Sequence, residues 1–138
     1  MFKVVFDKYI AAVLEKSPTK LASLFCDDGI LKLPFRISRD TIEGQSQILE
    51  HYSTSFGQAP LIFTSVQDIE LYPTDNPDTF IVEYRLNGET LPHKKSFYCL
   101  YINVFKLSSG KIKELHDYED VLNRSAIFFL IFAALNRK

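Results

Sequence analysis

The strongest pattern in the sequence is a pair of long β-favouring runs separated by a short turn. The first run covers 97–107, the second covers 112–122, and Gly110 lies between them. Runs of this length, rich in aromatic and β-branched residues and joined by a glycine-containing turn, are typical of an antiparallel hairpin. Since no other part of the chain is as long or as regular, we expect the fold to be organised around this hairpin.

The residues before position 61 favour helices with two brief extended segments. This interpretation rests on two signals: apolar side chains at helical spacing, and a Ser-Pro pair that is typical of a helix start. In chain order the predicted elements are a helix over 2–16, a short helix from Pro18 to a stop near Asp27-Asp28-Gly29, a strand over 30–33 ended by Pro34, a strand over 41–44, and a helix over 45–56 stopped by Gly57.

From residue 61 onward the sequence favours strands, and an apolar segment follows them. We place strands at 61–72, 79–86, 96–107 and 112–121, and take Asn87-Gly88 as a turn signal. The apolar run over 126–135 has ten residues, whereas a membrane-spanning helix needs about 20. With Asn123 or Ser125 as its cap, we expect it to form a helix that covers the sheet's open end or packs on a dimer partner.

Helices followed by a run of antiparallel strands indicate an α+β protein. We predict one domain over 1–138, made of a core over 1–122 and an apolar C-terminal helix over 123–138. The expected architecture is a cone: a strongly curved, mostly antiparallel (mixed) sheet that wraps around the N-terminal helices. Such a cone encloses a mostly apolar pocket at its wide end.

The composition argues against several classes of function. The net charge is −1, with no concentrated basic patch, so we expect no nucleic-acid binding. The N-terminus has charges within its apolar pattern and does not resemble a signal peptide. We therefore expect a cytoplasmic protein with Cys26 and Cys99 reduced. The three histidines lack ligand spacing, so neither a metal nor another cofactor is expected.

Three short motifs occur in an order that points to a known family. They are Tyr9-Ile-Ala-Ala-Val13 with the segment 21–28, Glu43-Gly44 followed by Ile48 and Tyr52, and Gly110-Lys111-Ile112 with Asp117-Tyr118-Glu119-Asp120. The chain thereby resembles the nuclear transport factor 2-like superfamily, and within it the SnoaL-like polyketide cyclases and ketosteroid isomerase-related proteins. The resemblance implies the cone fold but no particular chemistry, because this fold hosts enzymes, ligand binders and interaction modules.

The resemblance implies a pair of residues that bind an oxyanion, but this sequence lacks the general base of the ketosteroid isomerases. Tyr9 matches the helix-borne tyrosine of the ketosteroid isomerases, and Asn103 matches their protonated aspartic acid. A phenol and a carboxamide can both donate hydrogen bonds to a developing oxyanion. Leu33 stands at the general-base position, immediately before Pro34, and leucine cannot take a proton. Isomerisation by that route is therefore not supported.

Asp117 is the candidate that could replace this base. Period-two alternation puts Lys113, Leu115, Asp117 and Glu119 on one face of the last strand and His116 on the other, but the pattern alone does not choose the inward face. The resemblance suggests that Asp117 faces the pocket, where burial would raise its pKa and suit general acid–base catalysis. The alternative is a solvated carboxylate or a salt-bridge partner.

The remaining predicted site residues form an apolar pocket wall with few polar groups. One face of the 96–107 strand carries Phe97, Tyr101, Asn103 and Phe105, and the neighbouring strand adds Tyr84. Such a wall is typical of a ligand pocket, although an ordinary aromatic core fits the same pattern. The complete predicted ligand-binding set is Tyr101, Tyr84, Phe97, Phe105, Leu33, His51 and Leu115; for His51, a surface position is the alternative.

Two functions follow from these observations. The first is a protein that binds a small hydrophobic molecule and acts as a cofactor-free isomerase, cyclase or hydratase on a carbonyl-containing ring compound, with Asp117, Tyr9 and Asn103 as catalytic residues. The second is a non-catalytic dimerisation or interaction module. In either case we expect a homodimer formed through the outer sheet face and the C-terminal helix, and no membrane or nucleic-acid partner.

Overall fold

The computed structural model describes residues 2–135, with the side chains of Leu130, Ala134 and Leu135 excepted. The elements in chain order are α1 (Phe2–Leu14), α2 (Pro18–Ser23), β1 (Phe25–Lys32), β2 (Thr41–Glu43), α3 (Gln45–Gln58), β3 (Leu61–Pro73), β4 (Thr79–Thr90), β5 (Ser96–Ser108), β6 (Lys111–Glu119) and α4 (Val121–Leu135). This arrangement confirms the predicted α+β class with N-terminal helices and a C-terminal helix. The last three residues of the predicted helix, 136–138, lie outside the described residues.

The described strands form one mixed, open sheet with the β5–β6 hairpin at its centre. The strand order is β2-β1-β6-β5-β4-β3, in which β1 and β6 run parallel and the other neighbours run antiparallel. The predicted hairpin is therefore confirmed as the organising element. Its register pairs Asn103 directly with Asp117, which brings these two side chains together on the same face.

Aromatic rings hold α1 against the inner face of the sheet. Phe105 of β5 is fully buried, and its ring centroid lies 5.2 Å from that of Phe2 and 5.3 Å from that of Tyr9 on the helix. Both contacts are edge-to-face, the arrangement that the ring quadrupoles favour. This packing fixes the face of α1 that carries Tyr9 toward the interior.

The second helix is shorter than the sequence predicts, and the first strand is longer. α2 ends at Ser23, and β1 begins at Phe25 instead of residue 30. The reason is pairing with the last strand: Phe25 is in register with Ile112, whose amide donates to the carbonyl of Leu24. The acidic residues predicted to end the helix instead form an irregularity within β1.

Two glycines predicted to end elements lie inside them. Gly57 lies within α3, which continues to Gln58, and Gly88 lies within β4 instead of forming a turn with Asn87. At Gly88 a Cβ atom would collide with the carbonyl oxygen of Ile62 and lie 2.6 Å from Cζ of Phe97. The close approach of neighbouring strands thus explains this glycine better than a turn does.

The C-terminal helix begins two residues earlier than the sequence predicts. α4 starts at Val121, because Asp120 caps it: Oδ1 of Asp120 accepts a hydrogen bond from the amide of Asn123 at 3.2 Å. Ile127 and Ile131 are its buried side chains among those described. Within residues 2–135, no helix is long and apolar enough to cross a membrane.

Candidate functional site

A cavity of about 80 Å³ lies between the helices α1, α3 and α4 and the inner face of the sheet. Most of its wall is apolar, and the polar or charged side chains that line it are Tyr9, Lys16, Arg36, His51, Tyr52, Ser55, Tyr84, Tyr101, Asp117, Glu119 and Arg124. Ligand pockets usually enclose about 300–1,000 Å³. A ring-containing ligand would therefore require α4 or the lining side chains to move outward.

Asp117 is held on this wall by two other buried side chains. Nδ2 of Asn103 donates to Oδ1 of Asp117 at 2.8 Å, and the Tyr84 hydroxyl donates a short hydrogen bond to Oδ1 of Asn103. Because its carboxamide oxygen accepts from Tyr84, Asn103 presents its amino group to Asp117. Oδ1 is thereby occupied, and no described residue bonds Oδ2, which remains for a ligand.

Burial gives Asp117 the protonation behaviour of an acid–base catalyst. Burial, followed by the charge of Glu119, raises the pKa of this carboxyl to about 7, although the Asn103 hydrogen bond and the charges of Arg124 and Arg36 oppose the shift. Near neutral pH the carboxyl therefore populates both its charged and its neutral form. A group in this range can both take up and release a proton efficiently.

Four tyrosines surround this carboxyl on the cavity wall. Tyr84 and Tyr101 stack with ring centroids 5.4 Å apart. Burial raises the pKa of Tyr9, Tyr84 and Tyr101 well above the usual value, so these phenols remain protonated hydrogen-bond donors. The buried Tyr52 hydroxyl makes no hydrogen bond of regular geometry to a described residue, but the Tyr9 hydroxyl interacts with it as a hydrogen-bond partner and opposes the rise of its pKa.

A cluster of three charged side chains forms the end of the cavity near α4. Nε and Nη2 of Arg36 donate to the two carboxylate oxygens of Glu119 at 3.3 and 3.2 Å, and Nη1 of Arg124 donates to Oε1 at 3.0 Å. The three residues come from the segment after β1, the end of β6 and the first turn of α4. The cluster therefore ties the C-terminal helix to the sheet.

Two further basic side chains line the cavity. Nζ of Lys16 donates to the carbonyl oxygens of Ala59 and Leu61 at 3.1 and 2.8 Å, which joins the end of α3 to β3. Partial burial lowers the pKa of Lys16. Burial, followed by the charge of Arg36, lowers the pKa of His51 and favours a neutral imidazole.

The structure brings most of the predicted site residues to the cavity. Tyr9, Asp117, Leu33, His51, Tyr84, Phe97 and Tyr101 all line it. Asn103 lies behind the wall and acts on the cavity through Asp117. Phe105 and Leu115, predicted as ligand-binding, are fully buried in the core and do not line it. His116 lies on the opposite sheet face and bonds Glu114 at 2.8 Å.

Sequence reasoning missed four polar groups of the site. Tyr52 enters the sequence prediction only within a family motif, although its hydroxyl on the helix face that carries Ile48 is a signal of a polar site group. Glu119 shares the face of Asp117 by simple alternation, which could have nominated it. Arg36 and Arg124 lie in a loop and at a helix start, where no periodicity indicates which way a side chain points.

Comparisons with known proteins agree with the fold of this chain. The family model of the SnoaL-like domain matches residues 6–115. No curated protein matches the sequence significantly. Among solved structures, a protein from Bacillus subtilis provisionally described as an isomerase superimposes with a TM-score of 0.80 at 21% identity, over 90% of this chain and 89% of the other.

Two more solved structures share the fold at low identity. A provisionally described polyketide cyclase from Xanthomonas campestris pv. campestris has a TM-score of 0.70 at 14% identity, over 90% of this chain and 93% of its own. A protein from Catenulispora acidiphila with a ketosteroid isomerase-like fold, in complex with trimethylamine, has a TM-score of 0.63 at 16% identity, over 86% of this chain and 87% of its own. These likenesses show the fold that the chain shares with the three proteins. The family match over residues 6–115 shows that the chain belongs to the SnoaL-like domain family, as its motifs predict.

Proposed function

We propose that this protein is a cofactor-free acid–base catalyst that acts on a small, mainly hydrophobic carbonyl compound, in a reaction of the isomerase, cyclase or hydratase type. One observation carries the proposal: a carboxyl group with a pKa of about 7, that of Asp117, lines an apolar cavity beside protonated phenols. Strongly shifted carboxyl groups in cavities are common at catalytic sites. The isomerase and cyclase descriptions of its structural neighbours support the same class of reaction.

The proposed mechanism uses the free oxygen of Asp117 and the hydroxyl of Tyr9. In its charged form, Oδ2 of Asp117 removes a proton from the carbon next to the ligand's carbonyl group, and the electron pair moves onto the carbonyl oxygen. The Tyr9 hydroxyl donates to the resulting oxyanion. The neutral Asp117 then returns the proton to another carbon or to a leaving oxygen. Asn103 keeps Oδ1 occupied throughout, so proton transfer occurs at Oδ2.

The test measures how fast the full chain catalyses the exchange of solvent deuterium into a panel of cyclic ketones. The exchange is followed by ¹H NMR of the ketones. We expect exchange at a carbon next to the carbonyl, with a rate that rises between pH 6 and 8 and then levels off, because the base must be ionised. Replacing Asp117→Asn should lower the rate about 10²- to 10⁴-fold, the usual contribution of a general base.

The matched control is Asp7→Asn, which removes an exposed carboxylate from the outer side of α1. Its exchange rate should equal that of the wild-type protein. Unchanged exchange in Asp117→Asn would remove this residue from the mechanism.

A second property, homodimer formation, is also proposed and is favoured by the outer face of the sheet. Tyr98, Leu100 and Ile102 of β5 point away from the cavity and are 45%, 54% and 45% exposed. Contiguous apolar surface of this kind usually marks an interaction site. A dimer formed through this face leaves the cavity intact, so it is compatible with catalysis. The alternative function, an interaction module without catalysis, would use the same face.

Light scattering coupled to size exclusion tests the dimer. We expect the wild-type chain to have twice its chain mass and Leu100→Glu to have the mass of one chain, because a buried charge disrupts an apolar interface. Val4→Glu, which places the same charge at an exposed site on α1, should remain dimeric. A wild-type monomer at 100 μM would exclude this interface.

A further inference from the structure

The cavity combines an apolar wall with more basic than acidic side chains. Lys16, Arg36 and Arg124 line it, and its acidic lining residues are Glu119, which pairs with both arginines, and Asp117. Asp40, which also acts on Arg36, does not line the cavity. A cavity of this composition favours a ligand group with negative charge.

The two arginines retain hydrogen-bond donors after they have bound Glu119. A guanidinium has five N–H donors; Arg36 uses Nε and Nη2, and Arg124 uses Nη1. Nη1 of Arg36 and Nη2 of Arg124 have no acceptor among the described residues. Paired N–H groups of arginine match the geometry of a carboxylate, which they bind in a bidentate manner.

Glu119 explains how two cations can be held at the edge of an apolar cavity. Its carboxylate is 8% exposed, whereas the arginine side chains are 26% and 29% exposed. The carboxylate thus orients both guanidinium groups while each keeps access to the cavity. Within this cluster one negative charge faces two positive charges, and Asp117, which also acts on both arginines, is only partly ionised near pH 7.

We infer that the natural ligand is a small oxo acid whose carboxylate binds Arg36 and Arg124, while its carbonyl group lies beside Asp117. Asp117 and Glu119 are two residues apart on one face of β6, which separates them by about 7 Å. The carboxylate and the reacting carbon are then a few bonds apart, which suits a ring with the two groups on opposite sides. The Tyr52 hydroxyl also lines the cavity and can donate to a ligand oxygen.

The carboxylate half of this inference stands on the arginines alone, and the carbonyl half rests on the proposed function. The probes are 4-oxocyclohexanecarboxylate and its carboxamide, which differ in charge but hardly in shape. By calorimetry with the full chain at pH 7 and 50 mM salt, we expect the acid to bind about 10- to 100-fold more tightly than the amide, the effect of one charge-assisted hydrogen-bonded pair.

Substitutions and a change of salt concentration identify the side chains that cause the preference for the acid. Arg124→Gln should remove most of the preference for the acid, because it weakens binding of the acid much more than binding of the amide, and Arg36→Gln should act in the same direction. Arg39→Gln, at an exposed position in the same loop as Arg36, is the matched control. Should either variant fold poorly, raising salt to 500 mM with the wild-type protein should still weaken binding of the acid more than that of the amide.

The outcomes separate this inference from the proposed function. Equal affinity for acid and amide, no binding of either probe, or a preference that survives both arginine substitutions would overturn the carboxylate inference. Preferred binding of the acid without deuterium exchange beside its ketone would support the inference and contradict the proposed role of Asp117. Equal exchange in acid and amide would support that role and contradict the carboxylate inference.

Discussion

At pH 8 we expect Asp117→Asn to be more stable than the wild-type protein by about 2 to 4 kcal/mol in urea unfolding. Burial raises the pKa of Asp117 from 3.8 to about 7, and each unit of pKa corresponds to about 1.4 kcal/mol. The wild-type protein therefore keeps a charge in its interior at pH 8 that asparagine lacks. The lower limit allows for the N–H donors that asparagine brings to the same site.

The difference between the two proteins depends on pH in a defined direction. A carboxyl whose pKa is higher in the folded than in the unfolded chain makes the folded state bind protons more tightly. Its contribution to stability is complete below about pH 4 and is lost as the pH rises to about 7. The gain from Asp117→Asn should accordingly be largest above pH 7 and shrink toward zero at pH 4.

Asp7→Asn serves again as the control, since it removes an exposed carboxylate. Its free energy of unfolding should stay within about 0.5 kcal/mol of the wild-type value at each pH, as for most surface substitutions. A wild-type protein more stable than Asp117→Asn at pH 8 would mean that the ionised carboxylate stabilises the fold, and the acid–base proposal would lose its physical basis.

The fold could be predicted from the sequence because its strongest signals are local. The β5–β6 hairpin has alternating side chains and a glycine turn, and α1 has an apolar stripe; each pattern specifies its element without long-range information. The elements that the sequence misplaced depend on distant partners. Phe25 joins a strand because Ile112 pairs with it, and Gly88 continues a strand because Ile62 and Phe97 approach it closely.

The same distinction between local signals and long-range contacts applies to the residues of the candidate site. Alternation groups Asp117 with Glu119, but only the family resemblance indicates that this face points inward. The resemblance also nominates Tyr9, and Asp117 and Tyr9 both line the cavity. Arg36 and Arg124 are brought together by Glu119, through a loop and a helix start that no periodicity describes. Periodicity thus indicates which groups share a face of a regular element, whereas the inward direction and the charge clusters at element ends depend on the three-dimensional arrangement.

Glu119→Gln should destabilise the protein by about 2 to 3 kcal/mol in urea unfolding at pH 7. Removing one partner of a buried ion pair costs about 3 to 5 kcal/mol because the other charge stays uncompensated. Here two arginines lose their partner, but each is more than a quarter exposed, so water offsets part of the loss. The same change should lower the pKa of Asp117, since the charge of Glu119 helps to raise it.

The exposed pair of Glu15 and Lys20 provides the control for this charge deletion. Its two side chains are 51% and 65% exposed at a separation of 2.8 Å, so Glu15→Gln should cost less than about 1 kcal/mol. Carboxyl ¹³C NMR of Asp117 gives the second measurement, with a titration midpoint in Glu119→Gln below that of the wild-type protein. If Glu119→Gln were as stable as the wild-type protein and the midpoint unmoved, the cluster would orient neither arginine, and the carboxylate site at this end of the cavity would lose its support.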